Sequence, residues 1–138
     1  MSETSTHLMV PIDAAARAAC LGPDGAVAHV TNVMRMIQGR WKLPILFRLF
    51  AAPAMRTLQL KRDLPGISQK MLTQHLRELV ADRLIARVDF AEKPRRVEYR
   101  LSALGAQLMP VLIAMRHFSA SHAGALVSPQ ILQDDEQL

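Results

Sequence analysis

The 138-residue chain lacks the features that mark membrane, secreted and disulfide-bonded proteins. No apolar stretch approaches the roughly 20 residues that a transmembrane helix needs. The first twenty residues have no basic segment followed by an apolar one, as a secretion signal requires. Cys20 is the only cysteine, so an internal disulfide is excluded, although one thiol can still bridge two chains. We therefore expect a single domain in a reducing cytoplasm.

The sequence also lacks the motifs of common catalytic sites. Its histidines do not have metal-ligand spacing, since even His117 and His122 lie five residues apart and so about 140° apart around a helix. There is no glycine-rich phosphate loop and no nucleophile motif. We therefore predict a protein that is not an enzyme and that uses no cofactor or metal.

What the chain does have is a local excess of positive charge. From Arg56 to Arg100 it carries eleven Lys or Arg residues against six Asp or Glu, whereas the rest of the chain has six of each. Charge concentrated in one segment is typical of a phosphate-binding surface, although a moderately basic domain can simply be soluble.

That basic segment contains the most informative run, LPGISQKMLTQHLRELVADRLIARV, from Leu64 to Val88. Pro65-Gly66 predicts a turn and Ser68 an N-cap. At helical spacing, the leucines at positions 72, 76 and 79 share one face, which we predict to be buried. The opposite face carries polar side chains of the types that contact bases and phosphates. Any amphipathic surface helix has a polar face, so this pattern alone also fits a solvated surface.

The flanking segments predict the rest of the architecture. Helices are expected over Val27–Ile37, about Arg40–Ala51 and, capped by Thr57, Leu58–Leu64, with a further short helix over Ala14–Cys20. In the Arg40–Ala51 helix we predict a buried side made of Leu43, Leu46, Phe47 and Phe50. Alternating residues predict strands over Leu84–Phe90 and Arg96–Leu101, joined by a turn at 91–94.

A last helix, capped by Ser102, is predicted to run to about His122. Its apolar stripe comprises Leu104, Leu108, Val111, Leu112, Met115 and Phe118. A helix-turn-helix followed by a hairpin with a basic tip is a winged helix. The predicted fold class is therefore mainly α with a small β-hairpin wing. The expected divisions are a flexible arm over 1–25, the winged domain over 26–122 and a frayed tail over 123–138.

Three ordered segments resemble the HxlR-type family of bacterial winged helix-turn-helix transcription regulators, distant relatives of MarR-type regulators. They are IQGRWKLPILFRLF from Ile37, LPGISQKMLTQHLRELVADRLIAR from Leu64 and PRRVEYRLSALGAQLMPVL from Pro94. The resemblance implies a cytoplasmic homodimer that binds a pseudo-palindromic double-stranded DNA operator, with the N- and C-terminal helices pairing between subunits. We expect a sequence-specific regulator acting as a repressor. The alternative is a winged-helix protein–protein interaction module that does not bind specific DNA.

The expected DNA contacts divide by position. Residues near the N-terminal end of a recognition helix approach base edges, so direct readout is assigned to Gln69, Lys70, Thr73 and Gln74. Arg77 and Ser68 are expected on phosphates, and the wing residues Lys93, Arg95 and Arg96 on phosphate or in a minor groove. Arg56 is a further phosphate candidate. His75 lies far from the polar face, so we predict a packed flanking residue.

Two further sites concern regulation. Several family members carry a sensing cysteine at a position that is Ala28 here, and Cys20 lies eight residues earlier; it is either a redox site or an incidental thiol. Val30, Met34, Met115 and Phe118 are candidates for the dimer interface or for a pocket that holds a small apolar or aromatic effector, with Met36 and Met109 nearby. Packing within the monomer explains the same residues.

Overall fold

The computed structural model describes residues 13–126, which form six helices and one antiparallel hairpin. In chain order these are α1 (Ala14–Leu21), α2 (Ala26–Met36), α3 (Lys42–Ala51), α4 (Thr57–Asp63), α5 (Gln69–Ala81), β1 (Ile85–Asp89), β2 (Val97–Leu101) and α6 (Ala103–Ser121). The predicted winged helix-turn-helix is confirmed. Residues 1–12 of the expected arm and residues 127–138 of the expected tail lie outside the described residues.

Side-chain caps determine where the two long helices begin. The Ser68 hydroxyl accepts a hydrogen bond from the Met71 N–H at 3.1 Å, and the Ser102 hydroxyl accepts one from Gly105 at 2.9 Å. Both caps agree with the prediction, because a serine oxygen satisfies an N–H that has no partner within its helix.

The predicted start of α4 is wrong by one residue. Thr57 is the first helical residue and not the cap, and Arg56 occupies the N-cap position. The physical reason is that the Gln59 side chain reaches back and accepts the Arg56 N–H at 2.8 Å. This contact extends the helix one residue earlier than the hydroxyl of Thr57 indicated.

The predicted buried face of α3 is also wrong in part. Its buried residues are Lys42, Ile45, Leu46 and Leu49, whereas Phe47 and Phe50 are exposed and Leu43 is half-buried. Because α3 is apolar on almost every side, its periodicity does not select one face. The aliphatic face packs inward, and the two phenylalanine rings remain outside.

The core joins α3, α4, α5, the hairpin and the first half of α6. Leu72, Leu76 and Leu79 are at most 1% exposed, which confirms the predicted apolar face of the recognition helix. Met109 is fully buried in this core, and Met36 packs against it. These two methionines therefore belong to the monomer core and not to an effector pocket.

The hairpin is fixed to the core at its base. Ile85 pairs with Leu101, Arg87 with Tyr99 and Asp89 with Val97. Met55 adds backbone hydrogen bonds to Tyr99 of 2.9 and 2.8 Å, on the outer edge of β2. Since side chains alternate along a strand, Arg87 and Tyr99 share one face of the hairpin and Arg100 lies on the other.

The terminal helices have little core of their own within the described residues. No residue of α1 or α2 is buried, apart from Gly25 at the start of α2, and α6 buries only Gly105, Met109 and Leu112. Val30, Met34, Met115 and Phe118 are 61%, 49%, 46% and 61% exposed. Packing within the monomer therefore does not account for these four side chains. None of the described helices has the length and apolar character of a membrane span.

Candidate nucleic-acid interface

The helix-turn-helix consists of α4, the turn at Pro65-Gly66 and α5. Gly66 has φ +91°, a left-handed conformation that glycine adopts without steric cost. The Arg48 guanidinium also bridges α3 to the end of α4 by donating two hydrogen bonds to Asp63 Oδ2, at 3.1 and 2.6 Å. The leucine core thus fixes the inner face of the recognition helix, and the Pro65-Gly66 turn fixes its N-terminal end relative to α4.

The residues predicted for base readout lie together on the outer face of α5. Gln69, Lys70 and Gln74 are exposed and Thr73 is half-buried. Gln69 Nε2 donates to Thr73 Oγ1 at 3.4 Å, and Gln74 Nε2 donates to Glu78 Oε1 at 3.2 Å. Both glutamine side chains are therefore oriented along the helix in the absence of a ligand.

The predicted phosphate contacts lie around this face. Ser68 and Arg77 are exposed on the same side of α5, and Arg56 is exposed at the start of α4. Lys70 and Arg77 make no ion pair with any residue of the described range, so both charges are available to an anion.

Glu78 is a residue that the sequence analysis did not single out. Its Oε2 accepts a hydrogen bond from Lys42 Nζ at 2.8 Å, and the Lys42 side chain is only 10% exposed. This hydrogen bond is the main reason that the pKa of Glu78 lies below its ordinary value, and the bond from Gln74 acts in the same direction. Glu78 therefore connects the buried start of α3 to a candidate base-reading side chain.

His75 is packed beside this group. Its side chain is 17% exposed, and Nδ1 lies 3.5 Å from Glu78 Oε2. This agrees with the prediction of a flanking residue. In the sequence, the one indication of the group formed by Lys42, His75 and Glu78 is that Glu78 is a single carboxylate on an otherwise basic or neutral polar surface of α5. Nothing in the spacing indicates Lys42, which is 36 residues away.

The three cations at the tip of the wing differ in how closely they approach acidic side chains, which the sequence did not indicate. Arg95 Nη2 lies 3.0 Å from Asp89 Oδ2, while Arg96 stacks on the Phe90 ring at 3.8 Å and is 3.8 Å from both Glu92 and Glu98. Lys93 is exposed and has no acidic partner in residues 13–126. Of the three predicted wing cations, Lys93 is thus the least neutralised.

Asp89 is the acidic centre of the wing. Its Oδ1 accepts the Ala91 N–H at 2.9 Å, and this bond, followed by the one from Arg95, lowers the pKa of its carboxyl group. Asp89 Oδ2 also lies 3.9 Å from Arg87 Nη2. One carboxylate therefore restrains two cations of the hairpin.

Cys20 lies at the other end of the described chain, near the C-terminal end of α1. It is half-exposed and lines a cavity of about 650 Å³ between α1 and α2, together with His29 and Asp24. The structure therefore places it among the terminal helices and not on α5 or the hairpin.

A family model for the HxlR-like helix-turn-helix matches residues 36–126. The chain belongs to the HxlR-like family. Among its relatives, the HTH-type transcriptional regulator YtcD of Bacillus subtilis is 43% identical over 93 residues, which cover 67% of this chain and 73% of YtcD. The resemblance noted in the sequence is thus confirmed.

Solved structures agree with this assignment. A MarR-family transcriptional regulator from Enterococcus faecalis V583 has a TM-score of 0.68 and 33% identity, with 82% of this chain and 94% of that one covered. The reduced form of the B. subtilis regulator YodB has a TM-score of 0.61 and 27% identity, with 66% and 88% covered. This HxlR-like chain is a transcriptional regulator with a helix-turn-helix DNA-binding fold.

Proposed function

We propose that this HxlR-like protein is a homodimeric repressor that binds a pseudo-palindromic operator in the cytoplasm. The observation that carries the proposal is the division of α5: its leucine face is fully buried, while its polar face is exposed around Lys70 and Arg77, two cations without an ion-pair partner among residues 13–126. In this arrangement α5 enters a major groove and the wing, at 91–96, lies on the backbone or in a minor groove.

Within this surface, the proposed contact of each residue depends on how far it lies from the N-terminal end of α5. Gln69, Lys70, Thr73 and Gln74 belong to the first half of α5 and are proposed to contact base edges. Ser68 and Arg77 are proposed to contact phosphates, with Arg56, Lys93, Arg95 and Arg96 adding further backbone contacts.

The dimer is supported by the apolar surface of the terminal helices. Val30, Met34, Met115 and Phe118 each expose about half or more of their surface in the single chain. Burying exposed apolar area contributes about 25 cal/mol per Å², which favours covering these side chains with the same helices of a second copy. Two recognition helices would then read two half-sites about one helical turn apart. Repression needs only this occupancy, because a bound dimer excludes other proteins from the same DNA.

The direct test begins with DNA selected from a random pool by the purified protein. On the selected operator, the double variant Lys70→Ala, Gln74→Ala is expected to lose at least about a hundredfold in affinity, since each good base contact contributes about 1–3 kcal/mol. Its circular dichroism and melting temperature should match the wild type, because both side chains are exposed.

Arg100→Ala provides the control for charge, because Arg100 is an exposed cation on the outer face of the hairpin. It should retain the operator affinity of the wild type to within a few-fold. Unchanged affinity in the Lys70, Gln74 double variant would contradict the proposed function.

A further inference from the structure

A cleft of about 410 Å³ separates the recognition helix from the wing. Its lining comes from two elements: Thr73, Leu76, Arg77 and Val80 from α5, and Arg87 and Tyr99 from the hairpin. Arg87 and Tyr99 are a cross-strand pair, so both side chains project from the same face of the hairpin toward this helix.

The walls of the cleft combine two guanidinium groups with two hydroxyl groups over an apolar floor of Leu76 and Val80. No carboxylate is among the lining residues. Asp89 Oδ2, outside the lining, is 3.9 Å from Arg87 Nη2 but closer to Arg95 Nη2, at 3.0 Å. Thr73 Oγ1 accepts its hydrogen bond from Gln69, which leaves the Thr73 O–H able to donate elsewhere. Every polar group of the lining can thus donate a hydrogen bond to an anion.

The position of the cleft identifies which anion fits. Arg77 lies two turns along α5 from Gln69 and Lys70, beyond the residues that are proposed to contact bases. If α5 enters a major groove and the wing lies on the adjacent backbone or minor groove, as proposed above, the DNA strand between them runs past this cleft. Guanidinium groups bind phosphate oxygens through paired N–H donors, and here two of them converge from different elements.

We propose that the cleft binds one backbone phosphate of the operator, held by Arg77 and Arg87 and by the hydroxyl group of Tyr99. This inference rests on the proposed function and adds Arg87 and Tyr99 to the interface. A phosphate bound by both elements sets the position of the wing relative to the recognition helix, because backbone contacts determine the register of a protein on DNA.

The test compares Arg87→Ala with Arg100→Ala on the selected operator across a series of salt concentrations. The two variants lose the same charge from the same hairpin, but on opposite faces. Arg87→Ala is expected to weaken binding about tenfold for each subunit, the value of a charged hydrogen bond, and so about a hundredfold for the dimer. It should also reduce the slope of log affinity against log salt by about 1.8, because each of the two subunits loses one phosphate contact worth about 0.9. Arg100→Ala should leave the slope unchanged, and Tyr99→Phe should weaken binding by the dimer about tenfold, or about threefold for each subunit.

Operators that carry one neutral methylphosphonate at the same position of both half-sites locate the phosphate. At one such position, the neutral linkage should weaken the wild type at least as much as the Arg87→Ala substitution does. At that position its effect on the Arg87→Ala variant should be clearly smaller, because only the Arg77 and Tyr99 contacts remain to be lost.

The proposal is overturned if Arg87→Ala behaves like Arg100→Ala, or if no methylphosphonate position has a smaller effect on the Arg87→Ala variant than on the wild type. In that case the Lys70, Gln74 double variant still reports separately on the proposed function. A wild-type protein without salt-dependent DNA affinity would overturn both.

Discussion

The helix-turn-helix region and the terminal helices bury their apolar side chains to different degrees. Between α3 and β2, the apolar side chains that face inward are almost fully buried, as Leu60, Leu72 and Leu76 show. In contrast, α1 and α2 bury no residue of their own, and Phe118 near the end of α6 is 61% exposed. One chain is thus sufficient to build the core beneath the candidate DNA-reading surface, whereas the terminal helices leave apolar side chains exposed.

This difference bears on two properties of a regulator: the position of each recognition helix and the spacing between two of them. The recognition helix has a fixed position before DNA arrives, because its core, its cap and the Lys42–Glu78 ion pair all lie within one chain. In the proposed dimer, the spacing between the two recognition helices would depend instead on the terminal helices. Substitutions in the two regions should therefore have different consequences for stability, assembly and DNA binding.

The largest effect is expected in the completed core. Leu76→Ala removes a side chain that is 1% exposed and leaves a cavity. The free energy of unfolding should fall by about 3 kcal/mol, as measured by urea denaturation. Met71→Ala, at a 40% exposed position of the same helix, should cost less than about 1 kcal/mol. Equal losses in both variants would mean that this region is not the packed core described above.

The next effect concerns the incomplete region. Phe118→Asp places a charge on the exposed apolar face of α6 and should convert a dimer to a folded monomer in analytical ultracentrifugation. Operator affinity should fall about a hundredfold, because two linked recognition helices bind far more tightly than one.

Leu58→Asp is the matched control for this substitution. Leu58 is 71% exposed, but it lies on α4 in the helix-turn-helix region. The variant should remain dimeric. Dissociation of both variants, or of neither, would remove the distinction between the two regions.

A smaller effect is expected at Glu78. The Glu78→Gln substitution leaves Lys42 without its carboxylate, and the loss should be about 1 kcal/mol, since the Glu78 side chain is 40% exposed and partly screened by water. The folded-state pKa lies below the ordinary value of 4.5. The ion pair therefore stabilises the protein above that pH and ceases to do so as the pH falls through the folded-state pKa.

The measurement is the free energy of unfolding of Glu78→Gln and wild type over a range of pH. The difference between them should be full at neutral pH and should close in acid below pH 4.5. Glu92→Gln, at a wing carboxylate 53% exposed, should change the stability by less than about 0.5 kcal/mol. A difference for Glu78→Gln that persists unchanged in acid would contradict the assigned ion pair.

The smallest effect is expected in the wing. Asp89→Asn preserves an oxygen that can accept the Ala91 N–H but releases Arg87 and Arg95 from a carboxylate. DNA affinity should increase about threefold, and more at low salt. Asp24→Asn removes one negative charge from the turn between α1 and α2, which carries none of the proposed DNA contacts, and should leave DNA affinity unchanged. Weaker binding by Asp89→Asn would show that the carboxylate orients these cations for DNA.

Much of the DNA-reading region was predictable from the sequence because local rules govern it. The cap at Ser68, the turn at Pro65-Gly66 and the spacing of the leucines each act over a few residues. The prediction failed at α3, where an apolar residue lies at nearly every position and periodicity carries no information about direction. It also failed at the start of α4, where the Gln59 side chain accepts the Arg56 N–H and the N-cap is therefore Arg56 and not Thr57.

By itself, the sequence determined the order of the helices, the hairpin, the polar face of α5 and the family, because these depend on short-range patterns along the chain. Only the tertiary structure decided that Lys42 meets Glu78, that Arg87 and Tyr99 face Arg77 across a cleft, and that the stripe of α6 is largely exposed. Those relations join residues far apart in sequence. They arise from how the helices pack, and no local spacing encodes them.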